Sequence, residues 1–389
     1  MRLLLLADLH IGSIKDTDYY YRNMNKIISD EIIMTHTDAV ILLGDYFDRL
    51  FKVNEEYVSL AINVMSALIR ACKRQKTKIR IIYGTESHEM NQYRLFNYHF
   101  TSSHVDVKLF TTVAEEELFP GVNVLYIPEE YIDDKYEFYK NTLYSGKKYD
   151  YIFGHGIIEE GMGIGAKVKS ASDKMEKQVP RFKAGELAEA GKLNVWGHYH
   201  RHVDLDGNVH YVGSLFRKSF GEEEAKGYAV IEDGEWKFIP NENAYIYKTY
   251  EFDETSDVFS SPDKLMKTIN EIKEQNEGIF SGDTVGKIRV VFHAPEGTDQ
   301  AFFEALKTVT TSDNLITPLV KEVEHTVIEE DNSVSDEFSF VLDNNMSIPD
   351  KIHSFLNTRR WNDEGTIPEE VQNLTSEVIE KYINSPLEI

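Results

Sequence analysis

Over its first 250 residues the chain alternates short apolar runs with longer amphipathic ones. "RLLLLA" (2–7), "AVILLG" (39–44) and "IRIIYG" (79–84) are too short for helices and are bounded by polar residues, so they read as buried strands. Between them, residues 19–36 and 54–75 have helical spacing. In the second stretch Val58, Ala61, Ile62, Met65, Leu68 and Ile69 share one face. "VNVLYIP" (122–128), "YDYIFGHG" (149–156) and "LNVWGH" (193–198) read as further strands. Strands apolar on both faces, alternating with helices, predict sheets covered by helices. After Tyr199 the period becomes two. "HVDLDGNVHYVG" and "GYAVIEDGEWKFIP" each carry Asp-Gly between alternating segments, the signature of hairpins.

Residues 251–260 read as a linker into an α+β segment. Its expected elements are a helix over 262–276, a strand at "GKIRVVFHA", a helix at "DQAFFEALKTV" and a strand at "KEVEHTVIE". A polar stretch around "DNSVSDE" precedes two more helical patterns, 349–357 and 368–383. In the last, Val371, Leu374, Val378, Ile379 and Tyr382 form an apolar stripe, which either packs on its own domain or docks on a partner protein. The chain thus divides into 1–250, 251–340 and 341–389.

Length and charge sharpen this division. A chain of 389 residues suits one large domain with one or two small ones. The net charge of −24 speaks against a nucleic-acid partner, but residues 251–389 contribute −18 of it and residues 1–250 only −6. The acidity belongs mainly to a separate C-terminal module. The single cysteine, Cys72, excludes an intrachain disulfide and a multi-cysteine metal site. No apolar run approaches the roughly 20 residues of a membrane helix, and "MRLLLLAD" lacks the apolar length and cleavage site of a secretory signal. The expectation is a soluble, cytoplasmic protein with no membrane association.

Polar groups recur just beyond the predicted strands. They are Asp8 and His10 in "ADLH", Asp45 and Asp48 in "GDYFD", His88 and Glu89 in "GTESHE", His155 in "FGHG", and His198 and His200 in "WGHYH". The carboxyl ends of strands in open α/β sheets form the ligand crevice, and core packing does not call for this repetition of His and Asp. Mixed carboxylate and imidazole ligands suit manganese, iron or zinc. A pair of ions needs a bridging carboxylate, and Asp45, after a glycine, is placed to bridge. Alternate residues in extended chain point to one side, so Asp8 with His10, and His198 with His200, can each reach one cluster.

In order and spacing these five motifs resemble those of the calcineurin-like metallophosphoesterases. "YVGSLFRKSFGEEEAKGYAVIED" (211–233) further resembles the SbcD (meiotic-recombination-eleven type) DNA nucleases of that superfamily. The resemblance covers residues 1 to about 240 by motif and the remainder only by layout. It implies a sandwich of two mixed sheets flanked by helices, a small α+β capping domain, and C-terminal helices that dock an ATPase. It implies two divalent ions, most often Mn2+, one on Asp8, His10, Asp45 and His200 and one on Asp45, His155 and His198. His88 would be the catalytic acid that is not a ligand, and Asp48 and Glu89 would orient neighbours. Where the family carries a ligand asparagine before the histidine, this chain has Ser87. Ser87 (directly or through water), Glu86, or water alone would complete the second ion.

The implied activity is exo- and endonucleolytic hydrolysis of DNA in end processing and recombination. The implied partners are an SbcC-type, SMC-like ATPase and a second copy of the chain. Lys167, Lys169, Lys174, Lys177, Arg181 and Lys183, with Arg217, are the candidate DNA contacts. The alternatives are a phosphoesterase acting on RNA or small molecules, and a non-catalytic adaptor that binds the ATPase.

Overall fold

Leu3 and Leu5 of the first strand point into one core and Leu4 and Leu6 into another, and all four are buried. Each such side chain contributes about 1.5–3 kcal/mol by leaving water. That two-sided burial is why the run carries no polar alternation, and it sets the architecture. The computed structural model describes residues 1–163, 179–205, 207–281, 285–312 and 315–322. In chain order the first strands are β1 Arg2–Leu6, β2 Ala39–Leu43, β3 Lys78–Ile82, β4 Val107–Phe110, β5 Ala114–Phe119, β6 Val122–Ile127 and β7 Tyr149–His155. There follow β8 Ile157–Ile158, β9 Arg181–Phe182, β10 Gly191–Gly197, β11 Val203–Asp204, β12 Val209–Tyr211, β13 Gly227–Glu232 and β14 Glu235–Pro240. The last three are β15 Ile246–Phe252, β16 Gly286–Ala294 and β17 Ile316–Glu322.

Two six-stranded mixed sheets result, in the orders β14-β13-β1-β2-β3-β4 and β11-β12-β10-β7-β6-β5. In the first, β1 to β4 run parallel and β13 is antiparallel to β1. In the second, β6, β7, β10 and β12 run parallel. The sheets share one core, in which Leu3, Leu5, Ile41 and Leu43 meet Tyr126, Phe153 and Val195. The outer face of the first sheet is covered by helices Thr17–Ile28 and Glu56–Gln75, which bring Tyr20, Met24, Val64 and Leu68 onto Leu4, Leu6, Val40 and Leu42. Helix Ala184–Ala190 covers the second sheet through Leu187, beside Ile152 and Trp196. Strands β15, β16 and β17 form a parallel sheet whose own core joins Ile288, Val290 and Phe292 to Leu265, Ile269 and Phe302 of its flanking helices.

Both Asp-Gly segments form antiparallel pairs, β11–β12 and β13–β14. At the second turn Asp233 and Gly234 have φ of 51° and 91°, the two left-handed residues of a tight hairpin. Elsewhere the structure departs from the pattern. The first helix ends at Ile28 and gives way to a π-helix, Ser29–Met34. Strands β4 and β5 lie where no strand was expected, and β15 runs through the start of the supposed linker 251–260. The strand expected at 321–329 is preceded by β17, and all but its first two residues lie outside the described residues, as do both tail helices. No helix among the described residues is long and apolar enough to cross a membrane.

Candidate metal centre

The carboxyl ends of β1, β2, β3, β6, β7 and β10 converge where the two sheets meet. The loops after β1 and β2 are zipped together by their backbones. His10 N–H donates to Asp45 O (2.9 Å), Ile11 N–H to Tyr46 O (2.9 Å) and Asp48 N–H to Ile11 O (2.9 Å). Asp8, His10 and Asp45 have φ of 48°, 42° and 48°, so the chain here is left-handed rather than extended. Asp8 and His10 thus stand in one group of potential ligands through left-handed backbone, not through the alternation of an extended chain. Such residues cost about 1–3 kcal/mol each and persist where surrounding bonds hold them.

Two glycines allow the loops to approach. Gly44 has φ of +81°, and a methyl group on it would lie 2.2 Å from Nδ1 of His155. On Gly84 a methyl would lie 2.3 Å from the Asp45 backbone nitrogen and 2.4 Å from its Oδ1. Gly84→Ala is accordingly expected to cost about 1–3 kcal/mol as overpacking, read as a lower urea midpoint with an unchanged slope.

Asp45 sits at the centre of the cluster. Its Oδ1 lies 3.5 Å from His155 Nε2 and accepts from Thr85 N–H at 2.7 Å. Its Oδ2 faces the other way, 3.5 Å from His10 Nε2 and 3.8 Å from His88 Nδ1. His10 Nε2 and His200 Nε2 are 2.8 Å apart, and Asp8 joins them in one group of potential ligands. Asp8 also accepts the His198 N–H, at 3.0 and 3.1 Å to its two oxygens. His155 passes Nδ1 to Leu43 O at 2.7 Å, which leaves Nε2 as the free lone pair facing Asp45. The buried nitrogens His10 Nδ1, His88 Nδ1 and His155 Nε2 have no hydrogen-bond partner. Orphaned imidazole nitrogens around shared carboxylates are what a cation site needs.

The electrostatics agree. Burial, followed by the neighbouring imidazole of His200, holds His10 well below its usual pKa, and burial does the same for His200. Both therefore keep lone pairs available at neutral pH. Burial raises the Asp8 carboxyl to about 6, and Asp45 adds to that rise. A positive ion between these groups would relieve both effects.

The other sequence candidates divide. Asp48 Oδ1 lies 3.4 Å from His10 Nδ1 and 2.9 Å from Lys218 Nζ, so it can orient His10. Glu89 does not face His88. It is fully buried and accepts from Tyr46 N–H (2.7 Å), Gly84 N–H (2.7 Å) and Tyr93 O–H (2.9 Å), which ties the β2 and β3 loops together. Burial and then the Asp45 charge push its carboxyl up to about 8. Ser87 is exposed on the short helix Glu86–Glu89, and Glu86 does not stand among the groups of potential ligands.

Among the DNA candidates, Arg217 donates to the carbonyls of Tyr245 (3.4 Å), Glu223 (3.4 Å) and Glu224 (2.9 Å), which ties these segments together. Arg181 and Lys183 are exposed. Lys167, Lys169, Lys174 and Lys177 lie outside the described residues.

Three residues of the site were not singled out from sequence. Thr85 donates its N–H to Asp45. Lys226, buried between Glu222 (2.7 Å) and Glu224 (2.9 Å), donates to the His200 carbonyl at 2.9 Å. Glu129 groups with His155 and His198. A signal for Glu129 existed: it lies two residues beyond β6, the offset of Asp8 from β1 and Asp45 from β2.

No family model and no curated protein matches the chain. Among solved structures, one chain aligns over 61% of this chain and 98% of its own length at 11% identity, with a TM-score of 0.37, a likeness too distant to carry an argument.

Proposed function

We propose that the chain is a two-metal phosphodiesterase of the calcineurin-like metallophosphoesterase fold, and a DNA nuclease of the SbcD type within it. The observation that carries the reading is Asp45, whose Oδ2 faces His10 and His88 while its Oδ1 faces His155. A carboxylate so placed is the natural bridge between two ions, and the mixed imidazole and carboxylate surroundings suit manganese. Asp8, His10, Asp45 and His200 would hold one ion; Asp45, His155 and His198 would contribute to the other. Two divalent ions lower the pKa of water and neutralise phosphodiester charge.

The chain's own residues then have separable tasks. His88 is 27% exposed at the side chain and its ring centroid lies 5.0 Å from that of His10, so it stands at the mouth of the cluster. From there it can protonate the leaving oxygen. Asp48, paired with Lys218, steadies the His10 ring. The DNA reading draws on residues 211–233. That segment builds the wall behind His200, through Lys226 and through Ser214 N–H, which also donates to the His200 carbonyl at 3.1 Å. An SMC-like ATPase and a second copy of the chain are the partners that go with this reading.

The test is hydrolysis by the full-length protein of linear duplex DNA, single-stranded DNA, RNA of the same sequence and a small phosphodiester, with Mn2+ or with EDTA. DNA cleavage in Mn2+ and none in EDTA is expected, with RNA and the small ester far slower. A manganese-loaded protein that leaves every DNA intact would refute the nuclease reading, and preference for RNA or the small ester would favour the alternative substrates.

A further inference from the structure

Behind His155, which ends β7, and His198, which follows β10, lies a carboxylate with no assigned task. Glu129 is 6% exposed, and its backbone N–H is tied to Tyr83 O at 3.2 Å, which fixes it beside the β3 loop. Its Oε2 lies 3.1 Å from His198 Nδ1 and 3.3 Å from Thr85 Oγ1, and its Oε1 accepts from Tyr131 O–H at 3.0 Å. The potential ligand atoms of Glu129, His155 and His198 all lie within 4.8 Å of one another. On the near side, Asp45 Oδ1 is 3.5 Å from His155 Nε2. Two imidazole nitrogens and two carboxylates thus surround one region; His155 Nε2 is buried without a hydrogen-bond partner, and His198 Nδ1 faces the Glu129 carboxylate.

A simple ion pair between Glu129 and His198 is the competing account. It would charge His198 and satisfy Glu129, but it leaves His155 Nε2 an orphan whose Nδ1 is already committed to Leu43. A cation satisfies all four groups at once. The geometry points to Glu129 as the protein ligand that completes the second ion, with His155, His198 and Asp45. The inference rests on the two-metal reading and deepens it: the coordination position that Ser87 leaves open is filled from β6, a different strand, by an anionic oxygen. Three carboxylates, Asp8, Asp45 and Glu129, would then face the two ions. A carboxylate holds a divalent ion more tightly than a neutral amide or hydroxyl oxygen would.

Ion counting on the full-length protein tests this, by equilibrium dialysis against a fixed free Mn2+ concentration followed by elemental analysis and manganese electron paramagnetic resonance. Wild type and Ser87→Ala are expected to hold two ions with a spin-coupled signal. Glu129→Ala is expected to hold one, with an uncoupled signal and a second-ion affinity lowered by more than the roughly 10–100-fold that loss of a merely orienting neighbour costs. Two ions of wild-type affinity in a folded Glu129→Ala would overturn the assignment of Glu129 and leave the two-metal reading intact. A wild type that binds no ion would overturn the two-metal reading and Glu129 with it. Anomalous diffraction at the manganese edge decides independently of any variant. A second peak bonded to a Glu129 oxygen at about 2.0–2.6 Å supports the proposal. A second peak bonded to His155 and His198 but not to Glu129 overturns it.

Discussion

His88→Ala is expected to slow manganese-dependent DNA cleavage by about 10²–10⁴-fold, the range that a positioned general acid contributes. The variant should keep its fold, because the His88 side chain is 27% exposed and its imidazole anchors no core. Its metal content is the discriminating measurement. His88 Nδ1 lies 3.8 Å from Asp45 Oδ2, and with His10 and Asp45 it forms a group that could itself hold an ion. If His88 is the acid, His88→Ala retains both ions and loses rate. If it is a ligand, the variant loses an ion, and the acid must be sought elsewhere. Single-turnover rates at saturating Mn2+ separate the two, since excess metal restores a weakened site but not a missing proton donor.

How much of this was legible in the sequence depended on whether a residue's task was local. Strands β1, β2, β3, β7 and β10 could be read because most of their residues are buried on both faces, which leaves short, largely apolar runs. Strand β5, "AEEELF", could not, because it is an edge strand whose glutamates face outward or pair across to other strands. Strand β15, "IYKTYEF", alternates half-buried residues with the exposed Lys248 and Glu251 and so carries no apolar run. The histidines and aspartates of the site were visible because they repeat at strand ends. Ser87 was drawn into the site by its place in the motif, yet two additional residues after Gly84 turn the chain into a short helix that sends it to solvent. Glu129 was passed over because its neighbours, His155 and His198, lie 26 and 69 residues further along the chain. Charge alone did not reveal that Arg217 also bonds the carbonyls of Tyr245 and Glu224.

Arg80 is the most consequential residue that periodicity concealed, and Arg80→Met is expected to destabilise the protein by about 3–5 kcal/mol. It interrupts the apolar strand "KIRIIY", yet it is fully buried. Its guanidinium is bidentate to Glu116 of β5, at 2.7 and 2.8 Å, and reaches Asp106 beside β4 at 3.0 and 3.1 Å. Since β3 and β4 belong to one sheet and β5 to the other, Arg80 pins the two sheets together at one edge. Tyr126 O–H and Lys108 also bond Glu116, so removing Arg80 leaves a largely buried carboxylate with only part of its partners. Replacing both partners, as in Arg80→Met with Glu116→Leu, should recover most of the loss, because two apolar groups avoid the uncompensated charge. The acid limb offers a separate check. Burial alone would raise the Glu116 carboxyl, but hydrogen bonds from Arg80 and Lys108 and the Arg80 charge lower it from 4.5 to about 2. A carboxylate lowered in the folded state contributes stability above pH 4.5, and this is lost as pH falls through about 2. The penalty of Arg80→Met in urea melts should therefore be largest near pH 7 and shrink progressively below pH 4.5. A penalty that stays constant down to pH 2 would assign the loss to packing rather than to the ion cluster.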